Sequence, residues 1–128
     1  RVRYAETDKM GVVYYGNYAT YFEVGRVEWL RSRGITYAQM EEQGTMLPVV
    51  HMSLDFKRGA VYDEEITIET TVKELPTRKI SFYHRVLSTS GETLIEGQVV
   101  LVFVDASSFK PKRCPDELLT LFKEGGLS

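Results

Sequence analysis

From position 18 to 33 the apolar residues recur every third or fourth place, with Tyr18, Phe22, Gly25 and Trp29 on one face and Tyr21 and Leu30 widening the stripe. That period predicts an amphipathic helix about 24 Å long, with Asn17 as N-cap and Gly34 just past its end. Gly25 in its middle costs about 1 kcal/mol against alanine, so the helix is expected to approach a surface closely there. Thr36 with Gln39 forms a capping box, and Ile35 is placed to staple onto Met40, which predicts a second, shorter helix ended by Gly44. The period then falls to two. Strands are expected at 46–57 (Val50, Met52, Leu54 and Phe56 alternating), 65–74, 78–87 and 94–104, and a short one at 1–6 leading into Asp8.

Arg58-Gly59-Ala60, Leu75-Pro76-Thr77 and Ser88–Glu92 read as short connectors between antiparallel neighbours. The 94–104 strand is apolar on both faces and should lie inside the sheet. A terminal helix is expected from Pro115, with proline at its first position, Asp116 and Glu117 in the first turn and Gly125 at its end. One long helix laid across a curved antiparallel sheet is the simplest packing of this order, so the class is α+β in a single domain, 1–128.

Composition narrows the picture. A chain of 128 residues with 43% hydrophobic and 27% charged residues is globular, and a formal charge of -2 argues against a broad grip on nucleic acid. The one cysteine, Cys114, has no partner for a disulfide, which makes a reducing, cytoplasmic setting the expectation. No apolar run reaches the length of a membrane span, and no basic-then-apolar leader is present. The chain begins at Arg1 rather than Met, so a few residues are expected to precede it.

The chemistry concentrates in "TDKMGVVYYGNY", residues 7–18, where Asp8 heads a glycine-punctuated apolar and aromatic loop running into the long helix. Backbone N–H groups at a helix N-terminus suit a developing oxyanion, and Tyr14 to Asn17 is the segment that would supply them. Gly11 and Gly16 would let that backbone approach a ligand and tolerate positive φ. Asp8 is a candidate general base or nucleophile, with Met10, Val12, Val13 and the tyrosines expected to desolvate it and the hydroxyls of Tyr4 or Thr7 to orient water. On chemistry alone, Asp8 reads more readily as a turn or capping residue. The two isolated histidines suggest no metal site; His84 reads as buried and His51 as exposed. Glu23 and Arg26 are spaced to pair with each other, or across an interface.

Residues 4–34 resemble the opening of the acyl-CoA thioesterases of the hydroxybenzoyl-CoA thioesterase type, which have the hotdog fold, and are most similar to their Tol-Pal-associated branch. Asp8, Gly11, Val12 and Tyr18 in D-x-x-G-x-V-x-x-x-x-Y spacing, with Phe22-Glu23 and Arg26 after them, carry the resemblance. It implies a hotdog domain in which a curved sheet wraps a central helix, Asp8 as the catalytic carboxylate and the Tyr15 N–H as the group polarising the thioester carbonyl. Tyr4 matches a tyrosine near the site in that branch, and Tyr15 stands where the branch usually has histidine. Gly11, Val12, Tyr14 and Asn17 would line the substrate. For the coenzyme A phosphates, Lys57-Arg58 and Arg78-Lys79 are the basic candidates, and the resemblance favours Arg78 and Lys79. It implies an acyl-CoA substrate, no cofactor beyond the substrate's own coenzyme A, a homodimer assembling to a homotetramer, and an acyl carrier or envelope-associated partner. A hydratase or dehydratase and a non-catalytic acyl-thioester-binding protein are the rival functions.

Overall fold

A computed structural model describes residues 1–127. Helix α1 spans Asn17–Ser32 and α2 Tyr37–Glu42, the latter with both halves of the Thr36–Gln39 capping box formed. Strands follow at Thr45–Met46 (β1), Val49–Phe56 (β2), Thr67–Thr71 (β3), Lys79–Leu87 (β4), Thr93–Val102 (β5) and Val104–Asp105 (β6), and helix α3 at Asp116–Gly125 closes the chain. The main sheet is antiparallel in the order β2-β5-β4-β3, and β1 pairs with β6. Strand β5 is interior, as its two apolar faces require.

Four expectations need correction. Residues 1–6 form no strand: the Glu6 side chain turns back onto the Arg3 N–H at 2.8 Å and closes a 3-10 turn over Tyr4–Glu6, while Val2 bonds Asp63 and Glu64 instead. The 46–57 strand is interrupted at Pro48, which has no N–H to give, although its carbonyl still accepts from Val102 at 3.1 Å. Strands β2 and β3 are not neighbours but the two edges of the sheet, because residues 59–64 pair with the N-terminal segment rather than turning as a hairpin. Pro115 occupies the cap of α3, one place before its first turn.

Helix α1 lies against β3 and β4 and seats its stripe in the core. A Cβ on Gly25 would stand 2.3 Å from Thr70 Oγ1, which confirms the close approach. Phe22 lies under Gly97 of β5, where a Cβ would meet its ring at 2.8 Å, and Trp29 packs edge-on to Phe82 at 5.4 Å and tilted against Phe122 of α3 at 5.2 Å. With Leu30, Ile80, Val86, Leu94, Ile95, Val99 and Leu101 fully buried around them, this one core fixes the start of α1 relative to the sheet.

Candidate active site

The site is built on a tight reversal. Thr7 bridges Val13, the Asp8 N–H donates to the Val12 carbonyl at 2.9 Å, and the Gly11 N–H donates to the Asp8 carbonyl at 3.1 Å. Gly11 sits at φ +80°, the left-handed geometry that glycine adopts without strain. The loop is clamped onto the strand-end segment after β2: the Val13 N–H donates to Ala60, Val12 bridges Val61, and Val12 fills the space beside Gly59 where a Cβ would lie 2.9 Å away.

Asp8 is half-buried, and its Oδ1 accepts the Met10 N–H at 2.8 Å. The carboxylate therefore does act as a turn residue, while Oδ2 carries no hydrogen bond among the described residues. Within one protomer its apolar neighbours do not cover it. Met10 is 81% exposed and Tyr15 62%, and the Tyr14 ring leans on Tyr15 at 4.7 Å with both facing outward. Tyr4 is likewise exposed, edge-on to Tyr62 at 5.8 Å, and the Thr7 hydroxyl is already donated to the Tyr4 carbonyl at 2.7 Å.

Beyond the reversal, the Tyr14 N–H donates to the Glu6 carbonyl, Asn17 N–H to Tyr14 and Tyr18 N–H to Tyr15. Among the described residues, the N–H groups of Tyr15 and Gly16 donate to nothing. Two adjacent free donors thus stand in the loop that Asp8 heads, at the positive end of α1. Two details differ from expectation. Asn17 is the first helical residue rather than the cap, since its amide donates to the Glu6 carbonyl at 2.9 Å. Gly16 has φ -63°, and what it gives is room for the Tyr14 ring, 2.8 Å from where a Cβ would be.

Glu6, which no motif marked, organises this corner. Its carbonyl takes both Tyr14 and Asn17, and its carboxylate takes the Arg3 N–H and the Tyr21 hydroxyl at 3.0 Å. Partial burial pushes the Glu6 carboxyl up, but the hydrogen bonds from Arg3 and Tyr21 outweigh it and leave the group below its usual range. Burial, then Glu6 itself, raises the Tyr21 phenol. The only signal in the sequence was Glu6 three residues after Arg3.

The other candidates lie apart from the loop. Arg78 and Lys79 are exposed at the start of β4 and form no ion pair among the described residues, whereas Lys57 pairs with Glu96 at 3.4 Å and Arg58 with Glu64 at 3.0 Å. His51 is exposed. His84 is buried between Phe22 and Phe82, with Nδ1 2.9 Å from Thr70 Oγ1 and Nε2 unpartnered; burial, then the nearby Arg26, pushes its pKa down to about 3. Arg26 does not pair with Glu23: it is 4% exposed, its Nε and Nη1 have no partner, and it lies beside the Tyr37 phenol while Glu23 faces solvent. Among the described residues, no cluster of His, Cys, Asp or Glu is placed to hold a metal ion, and no helix is long and apolar enough to cross a membrane.

The family model of the thioesterase-like superfamily matches residues 2–122, with the Asp8 loop and α1 inside the match. The chain belongs to the thioesterase-like superfamily. Within it, the chain is 36% identical over 110 residues to YneP of Bacillus subtilis (strain 168), which bears the name of an acyl-CoA thioesterase; the match covers 86% of this chain and 80% of the relative. It is 27% identical over 124 residues to the acyl-CoA thioester hydrolase YbgC of Escherichia coli O6:H1, covering 97% of this chain and 92% of that one. Among solved structures, a DHNA-CoA thioesterase from Staphylococcus aureus superposes with a TM-score of 0.84 at 34% identity, covering 99% of this chain and 92% of that one. The arrangement of α1 across the antiparallel sheet is the hotdog fold of this superfamily.

Proposed function

We propose that the chain hydrolyses acyl-CoA thioesters to a free acid and coenzyme A. The observation that carries this is the pair of free N–H groups at Tyr15 and Gly16 in the same loop as the Asp8 carboxylate. Donors held in advance where negative charge will develop are worth about 3–4 kcal/mol of barrier each in comparable sites. The thioester carbonyl oxygen accepts from these donors, and Asp8 Oδ2 takes a proton from water as that water attacks the carbonyl carbon. The tetrahedral intermediate then expels the thiolate, the C–S bond breaks, and the proton returns to sulfur. Direct attack by Oδ2 to form a mixed anhydride, then hydrolysed, uses the same residues. Within one protomer the Asp–His pair that a hydratase uses is not formed, since His84 is enclosed between Phe22 and Phe82 and His51 is exposed on β2.

The coenzyme A phosphates are assigned to Arg78 and Lys79, the basic pair left free of carboxylates. The functional unit is a dimer formed through β2. This strand is an open sheet edge with Val49, Val50 and Phe56 exposed, and pairing it with a second copy satisfies its outward backbone groups.

The deciding experiment is release of coenzyme A thiol from a panel of short, long and aromatic acyl-CoAs by wild type and Asp8→Asn. Asparagine keeps an Oδ1 for the Met10 N–H, so the loop persists while the base and nucleophile are lost. A fall of 10²-fold or more is expected. Equal rates from both proteins would remove Asp8 from its role, and no release from any panel member would sink the thioesterase reading.

A further inference from the structure

Resting on the dimer through β2, the charges along that edge decide how two copies meet. Phe56 packs on Tyr18 of α1, so the alternation along β2 turns His51, Ser53 and Asp55 to the opposite face of the sheet. There Asp55 stands directly across from Glu96 of β5, two carboxylates side by side. Like charges in that position destabilise a sheet. Glu96 is neutralised by Lys57 at 3.4 Å, and Arg85 on the next strand is taken by Glu69 at 2.7 Å. Asp55 is exposed and has no ion pair among the described residues. His51 is exposed four places earlier on that face, with the uncharged Val100 and Gln98 of β5 beside it.

Hydrogen bonding along β2 limits the registers open to a second copy. The Lys57 N–H donates to Leu94 at 2.9 Å, so the backbone groups of Lys57, Asp55, Ser53 and His51 turn toward β5 and those of Phe56, Leu54 and Met52 turn outward. A two-fold axis perpendicular to the sheet passes through a residue paired with itself, because opposite residues share a face. Centred on His51 or Asp55, the pairing opposes identical side chains. Centred on Met52, it sets Asp55 against the partner's Val49. Centred on Leu54, it sets His51 against the partner's Lys57. Centred on Ser53, it sets His51 against the partner's Asp55 on both sides of the axis and brings the exposed Val50 beside the partner's Phe56. Of these registers, only the last gives Asp55 a basic neighbour and covers both apolar residues.

We propose that two copies join β2 to β2 about Ser53, and that the two His51–Asp55 pairs flanking the axis fix this register and make assembly proton-linked. In the new ladder these are non-hydrogen-bonded pairs, with Cβ atoms about 4.5–5.5 Å apart. Each His51 faces the partner's Asp55, with the partner's Glu96 one strand beyond and the partner's Lys57 on the diagonal, engaged by that Glu96. This surrounding favours imidazolium over imidazole. The added dimer stability is therefore present below the histidine range near pH 6.5 and lost as pH rises through it.

Single cysteines at 52, 53 and 54 locate the axis, the native Cys114 being buried. Ser53→Cys should form a disulfide-linked dimer under mild oxidation, because a self-paired residue lies within disulfide reach, while Met52→Cys and Leu54→Cys should not. Preferential crosslinking at 52 or 54, or none at any of the three, overturns the register. Sedimentation over a dilution series reads the proton link. The wild-type dimer dissociation constant should be about three- to ten-fold lower at about pH 5.5 than at about pH 8, and Asp55→Asn, which keeps His84, should abolish the difference. His51→Asp should weaken the dimer at both pH values, whereas a register centred on Leu54 would strengthen it through Lys57. A wild-type constant that does not change with pH, or a change that Asp55→Asn retains, overturns the charge pair. A monomeric wild type overturns the β2 dimer with it. Thiol release from the same samples bears on the thioesterase reading alone.

Discussion

Gly25→Ala puts the close packing of α1 on the sheet to a quantitative test. In an exposed helix interior the substitution would stabilise by about 1 kcal/mol. Here the new Cβ would lie 2.3 Å from Thr70 Oγ1, 3.1 Å from Ile68 Cγ2 and 3.3 Å from His84 Nδ1. Thr70 cannot simply rotate away, because its hydroxyl is the partner of the buried His84 ring at 2.9 Å, and orphaning that nitrogen costs about 1–3 kcal/mol. Overpacking adds about 1–3 kcal/mol if the helix moves instead. Either cost of about 1–3 kcal/mol, less the helix gain of about 1, leaves a net destabilisation of up to about 2 kcal/mol. Urea unfolding monitored by circular dichroism should show a lower midpoint with an unchanged slope. Thr70→Ala removes the clashing atom, so its cost and that of Gly25→Ala should not add, and the double variant should be more stable than their sum by about 1–2 kcal/mol. A stabilised Gly25→Ala protein, or strictly additive costs, would refute the assigned contact.

Other outcomes follow from the same geometry. His84, pushed down to about 3 in the folded state, binds its proton more readily when unfolded, so its contribution is complete above pH 6.5 and is lost as pH falls below it. Between pH 6.5 and 4.5 the protein should lose roughly 2–3 kcal/mol by urea titration, and His84→Gln should flatten that slope. Glu6→Ala removes the acceptor of the Arg3 N–H and the Tyr21 hydroxyl and should cost about 1–3 kcal/mol in the same assay, with a fall in kcat as the Tyr15 corner loosens. Replacing Arg78 and Lys79 together by Gln should raise KM for acyl-CoA about ten-fold or more, leave kcat nearly unchanged and weaken the salt dependence of KM, whereas Lys57→Gln should do little.

Much of the architecture was legible because it is local or periodic. The stripe from Tyr18 to Trp29, the Thr36–Gln39 box and the two-sided apolar run of β5 each report a burial pattern within one segment, and each is present. The Asp8 spacing was legible as well, and its loop does carry free N–H groups where a helix start leaves them. What failed was pairing. The alternation in residues 1–6 reads as a strand, yet nothing along the chain says that Glu6 will return to Arg3 or that residues 59–64 will take up the N-terminal segment in place of β3. Arg26 looked like half of a helical ion pair with Glu23, and only the packing of α1 turned its guanidinium inward beside Tyr37.

The division has a physical reason. Helix and strand period, the Thr36–Gln39 capping box and the break at Gly34 depend on neighbours within a few residues, so the order of side chains alone determined them. The relation of Asp8 to Glu6, Ala60 and the start of α1 depends on contacts closed over tens of residues, and it forms only once Phe22, Trp29 and their partners on β4 and β5 have fixed the helix against the sheet. That decision, taken by the core, leaves the Tyr15 and Gly16 N–H groups, which donate to nothing among the described residues, in the loop that Asp8 heads.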